Sequence, residues 1–97
     1  MAIRVVAQVR VKSGKKDELI EKVYTELIEE TRKEKGLVFY DLHVLVDNPD
    51  VIAMIETWET MADLEAHLNS DHFNRLAPLA APYCSEPTRL EIYEQIL

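Results

Sequence analysis

Residues 2–12, "AIRVVAQVRVK", alternate. Ile3, Val5, Ala7, Val9 and Val11 fall on one face of an extended chain, and Arg4, Val6, Gln8, Arg10 and Lys12 on the other. A period of two with β-branched side chains predicts a strand. Over residues 15–35 the period lengthens. Leu19, Ile20, Val23, Tyr24, Leu27 and Ile28 recur at steps of three and four, one apolar stripe along a helix. Asp17 and Glu18 at its start, and Arg32, Lys33 and Lys35 at its end, suit the helix dipole. Gly36 is the natural residue to end it. Alternation returns over 37–46, "LVFYDLHVLV", and again over 51–58, "VIAMIETW". Between them "DNPD" carries Asx and Pro turn chemistry, so 37–58 reads as a hairpin.

Thr60 is a helix cap, with Asp63 three residues on as a capping-box variant. That helix runs to about 69. A second short helix starts at Ser70 or Asp71, and Pro78 and Pro82 end regular helix there. Residues 88–96 alternate once more: Leu90, Ile92 and Ile96 share a face that Glu94 interrupts. The order β-α-β-β-α-β predicts an α+β, ferredoxin-like split βαβ fold in one domain, residues 1–97. Right-handed crossovers put both helical segments on one face of a four-stranded antiparallel sheet. Val6, Leu37, Phe39 and Leu45 make the strands apolar on both sides, and two-sided strands want both faces covered. A second copy packing sheet to sheet is the simplest cover.

Composition narrows the partners. The chain has 97 residues and a formal net charge of -7. Nucleic acid and anionic membranes select basic surfaces, so neither is expected as a partner. One cysteine, Cys84, cannot form an internal disulfide, which suits a reducing cytoplasm. No segment has the ~20 apolar residues a bilayer requires, and the alternating N-terminus does not read as a signal peptide.

Candidate chemistry gathers in "IETWETMADLEAHLNSDHF", residues 55–73. His67, three residues after Leu64 and beside Leu68, lies at the edge of the helical stripe, either a hydrogen-bonded core-edge residue or a pocket residue. His72, in the first turn of the next helix, is either solvated or polar lining. Five residues and a helix break separate the two, unlike an i, i+4 zinc pair, and no carboxylates complete a ligand set at recognisable spacing, so no metal is expected. Glu56, inside an apolar strand, needs a partner or a polar cavity; Arg4, Arg10 and Arg32 are available. Trp58 and Tyr40 are core, interface or pocket aromatics. With only Gly14 and Gly36 there is no phosphate-cradling loop, which removes bound nucleotide and the classical flavin and nicotinamide motifs, and no G-x-S-x-G elbow occurs to carry a nucleophilic triad.

The same stretch resembles the signature of the antibiotic biosynthesis monooxygenase family, most of all its small quinol-monooxygenase-like bacterial branch. "VAQVRVKSGKKDEL", "ETRKEKGLVFYDL", the E-x-W and "LEAHLNSDHF" agree with it in place and spacing. The resemblance implies a homodimeric α+β barrel with a cavity between sheet and helices in each protomer. It also implies oxidation of a small quinol or phenol by O2 without metal, flavin or haem. An electron-rich substrate anion can reduce O2 itself, so the protein must bind it dry, orient it and help remove a proton. Under that reading His67 is the proton acceptor, Tyr40, Trp58 and Phe73 shape a flat apolar cavity, and Gln8 and His72 give polar contacts at its edge. The family's haem-degrading branch uses an Asn, a Trp and a His where this chain has Gln8, His67 and Ala77, which argues against haem. A sugar-phosphate isomerase would want a basic pocket that the sequence does not display. The competing expectation is a non-catalytic ligand-binding or stress-associated dimer of the same fold.

Overall fold

A computed structural model describes residues 2–97. Strand β1 (Ile3–Arg10) leads into a helix of three consecutive parts: α1 (Lys16–Leu19), a π-helical turn (Ile20–Tyr24) and α2 (Thr25–Thr31). The hairpin β2 (Leu37–Leu45) and β3 (Asn48–Trp58) follows. Next come α3 (Met61–Leu68), α4 (Asp71–Leu76), a 3-10 segment (Ala77–Tyr83) and β4 (Arg89–Glu94). The sheet order is β2-β3-β1-β4, every neighbour antiparallel. This is the ferredoxin-like arrangement, an α+β fold with the helices on one face of the sheet.

Register explains how the core is built. Tyr40 pairs with Glu56, Glu56 with Val5, and Val5 with Ile92, so these four form one row across the sheet. The next row is Leu42, Met54, Ala7 and Leu90. Both rows face the helices, where Leu19, Val23, Leu27, Leu64 and Leu76 are buried against them. On the other face lie Val6, Gln8, Phe39, His43 and Ile55, and Phe39 remains 41% exposed. Among the described residues no element covers that face. No described helix is long and apolar enough to cross a membrane.

Three boundaries differ from expectation. The first helix ends at Thr31, not 35, because Lys33 and Glu34 donate backward to Glu30 and Thr31 in tighter turns. Gly36 still takes the left-handed conformation, at φ 80°, but after that turn. A Cβ at Gly36 would overlap the Asp63 carboxylate, so the missing side chain lets the 32–36 turn lie against α3. The hairpin is also tighter than "DNPD" suggests. β2 and β3 are separated only by Val46 and Asp47, and the Asn48 side chain accepts from the Asp50 amide at 3.0 Å within the strand. β4 is shorter than 88–96 and exposed along its length, with Leu90 at 48% and Ile92 at 44%.

Candidate functional site

The two rows facing the helices floor a cavity of about 80 Å3. Its walls are almost wholly apolar: Val5, Ala7, Leu42 and Met54 below, Leu27, Leu64, Leu68 and Phe73 above. Tyr24, placed by the π-helical turn, and Tyr40 add phenol rings. Thr88 and Leu90, both exposed, mark the open end at β4. One acid lines the cavity, Glu56.

Glu56 is 4% exposed, and burial drives its carboxyl up to about 7. The Trp58 indole N–H donates to Glu56 Oε1 at 2.9 Å and opposes the rise, while the charge of Glu34 adds to it. Residues two apart on a strand share a face, and this puts indole beside carboxylate. The three arginines expected to pair with Glu56 go elsewhere: Arg4 to Gln95, Arg10 to Glu86, and Arg32 to Asp41. Among the described residues Glu56 therefore has no cationic partner, and its proton is poised near neutrality. The Tyr40 phenol is held far above its ordinary range, first by burial and then by the charge of Glu56. It stays a neutral hydroxyl.

Behind this wall lies a second cluster. Thr60 caps α3, accepting the Asp63 amide at 3.1 Å, and Ser70 caps α4, accepting the Phe73 amide at 3.3 Å. The Ser70 hydroxyl also donates to the His67 carbonyl at 2.6 Å, pinning the end of α3 to the start of α4. His67 is 1% exposed and packs by its ring between Trp58 and Phe73, with ring centroids 4.9 Å from each, and 5.3 Å from Tyr40. Its Nδ1 donates to Glu34 Oε2 at 2.6 Å, and His72 Nε2 donates to the same oxygen at 2.8 Å. A carboxylate only accepts, so each nitrogen facing it carries the proton. Burial lowers the pKa of His67, opposed by the hydrogen bond and charge of Glu34.

The expected site residues thus divide. Tyr40 and Phe73 line the cavity. Trp58 is wholly buried and reaches it through Glu56. His67 and His72 stand outside the lining, joined to Glu34. Gln8 belongs on the opposite face: Ala7 and Val9 line the cavity, and alternation turns Gln8 toward the uncovered side. Spacing also misjudged the histidine pair. The break between α3 and α4 folds the chain back, so residues five apart converge on one oxygen. Glu34 carried no signal of its own. Glu56 did, because an E-x-W on a strand predicts the bond observed.

Known structures repeat this fold. A conserved protein from Methanosarcina mazei is 36% identical with a TM-score of 0.95, over 99% of this chain and 94% of that one. An antibiotic biosynthesis monooxygenase of known crystal structure is 30% identical, TM-score 0.88, over 98% and 99%. A conserved protein of unknown function from Bacteroides thetaiotaomicron is 29% identical, TM-score 0.86, over 97% of each chain. No curated protein matches the sequence. The profile of the antibiotic biosynthesis monooxygenase family matches residues 2–78, and with that match the chain belongs to this family.

Proposed function

We propose that the protein oxidises a small phenol or quinol with O2, without a resident cofactor, and that Glu56 accepts the phenolic proton. The observation that carries this reading is a buried carboxyl titrating at about 7 on the wall of an otherwise apolar cavity. A base poised near the working pH combines the right protonation state with useful driving force. In the dry cavity the resulting phenolate is electron-rich and passes electrons to O2. For a phenol with a free para position, one oxygen atom enters the ring and the other leaves as water, giving a quinone. For a quinol, two electrons and two protons pass to O2, giving a quinone and hydrogen peroxide.

This moves the proton-accepting role from His67 to Glu56. His67 becomes a positioning residue whose ring packs on Tyr40, Trp58 and Phe73. About 80 Å3 is below the ~150 Å3 of a cavity that admits benzene, so a substrate fills the interior and extends to the mouth at Thr88 and Leu90. A homodimer through the uncovered sheet face is part of the same reading, supported by the apolar Val6, Phe39 and Ile55 there. So is a reducing cytoplasm, supported by the free thiol of Cys84.

The test is oxygen uptake on a panel of single-ring and two-ring quinols and phenols, with chelator present and Glu56→Gln as control. Uptake above autoxidation that Glu56→Gln abolishes is the expected result. Uptake unchanged in the variant removes Glu56 from the chemistry. No uptake, with the same compounds raising the melting temperature, favours a ligand-binding role instead.

A further inference from the structure

We propose that Glu34, His67 and His72 form a binding site for one divalent transition ion of the zinc class. This goes beyond the oxidation reading and does not depend on it. Three ligand atoms, Glu34 Oε2, His67 Nδ1 and His72 Nε2, lie within 4.8 Å of one another. They come from three separate places: the turn before β2, the last turn of α3 and the first turn of α4. The two carboxylate–imidazole distances are 2.6 and 2.8 Å. Around a tetrahedral ion with bonds of ~2.0–2.1 Å, ligand atoms stand roughly 3.3 Å apart. The carboxylate must therefore draw back by about 0.7 Å from His67 Nδ1 and about 0.5 Å from His72 Nε2.

Donor chemistry selects the ion. Two imidazole nitrogens and one carboxylate oxygen suit zinc, cobalt, nickel or copper, whereas magnesium and calcium prefer all-oxygen shells. Burial gives the site an inside and an outside. The His67 side chain is 1% exposed, while Glu34 and His72 are 15% and 19% exposed, so an ion enters from the His72 side. The Ser70 hydroxyl lies 3.2 Å from His72 Nε2, beside the cluster. The ligands need little ordering, because the Ser70 cap and the aromatic packing of His67 already fix two of them. A metal-bound nitrogen carries no proton, so binding requires each coordinating nitrogen to give up the hydrogen it presents to Glu34.

The test titrates Zn2+ into the full chain by calorimetry, and Co2+ by visible absorption, in a Cys84→Ser background that removes the thiol. The expected result is one ion per chain, with the d–d bands of a four-coordinate nitrogen–oxygen site. His72→Ala and Glu34→Gln should each weaken binding at least tenfold, and His43→Ala, on the far sheet face, should leave it unchanged. His72 is partly exposed, so His72→Ala decides the matter should Glu34→Gln not fold. No stoichiometric binding below millimolar ion would mean a hydrogen-bonded cluster only, and would overturn the proposal. Binding that survives both substitutions would overturn it equally.

Discussion

Two carboxylates flank the same aromatic wall, and their surroundings assign them opposite work. Glu56 sits inside, 4% exposed, with one neutral N–H donor and no cationic partner among the described residues. Glu34 sits outside, partly exposed, and takes hydrogen bonds from two imidazoles on a single oxygen. The inner group holds its proton to about pH 7 and faces empty apolar space. The outer one is saturated with donors and ties a turn to two helices. Burial without a counter-charge makes a group available for proton transfer, while burial among donors makes it structural.

Breaking the inner site should have the largest effect. Glu56→Gln keeps an acceptor for the Trp58 indole but cannot take a proton, so turnover on a responsive quinol should fall about 100-fold or more. Retained turnover would remove the contrast with Glu34. On the outer side, His67→Ala should cost about 3 kcal/mol in urea unfolding, because it empties a fully packed aromatic site and strips Glu34 of a donor. A loss under about 1 kcal/mol would mean that the cluster does not hold the helices.

The same contrast has a signature in pH. A carboxyl raised from 4.5 to about 7 on folding binds a proton in the native state that the unfolded chain has released. Its contribution is therefore fully favourable below about 4.5 and is lost as pH climbs to about 7, at most about 3 kcal/mol in all. Glu56→Gln should be more stable than the parent at pH 8, by up to that amount, and equal to it near pH 4.5. Activity should run the other way, rising through about pH 7 as the base ionises. Trp58→Phe removes the bond that opposes the rise, so its rate profile should shift to higher pH and its rate at pH 7 fall several-fold. An unshifted profile would assign the activity to another group.

The legible and illegible parts of the molecule follow the range of the interactions. Alternation and stripe gave the four strands, the helical segments and their order, since those signals lie within ten or so neighbouring residues. The caps at Thr60 and Ser70 were readable for the same reason. Glu34 was not, because its partners stand 33 and 38 residues away on α3 and α4, and only the turn at Gly36 brings it to them. The helix end at Thr31 was masked by "RKEK", residues that suit a helix C-terminus and a polar turn alike. Gln8 was misassigned to the cavity by the family resemblance, although the alternation already set it with Arg4 and Arg10, opposite Val5 and Val9.

Gln8→Ala is accordingly the mildest variant and tests the division of the sheet into two faces. Gln8 lies opposite Ala53 and Arg89 on the central strand, with its side chain directed away from the helices. It is not among the residues that line the cavity. Turnover should therefore stay within about twofold of the parent, and monomer stability within about 0.5 kcal/mol. Under the proposed homodimer, any effect should appear in the concentration dependence of assembly, measured by sedimentation, because Gln8 lies on the uncovered sheet face. A large loss of turnover with assembly intact would mean that the uncovered face, not the helix-side cavity, meets the substrate. The inner carboxylate would then be a costly structural residue, not the base.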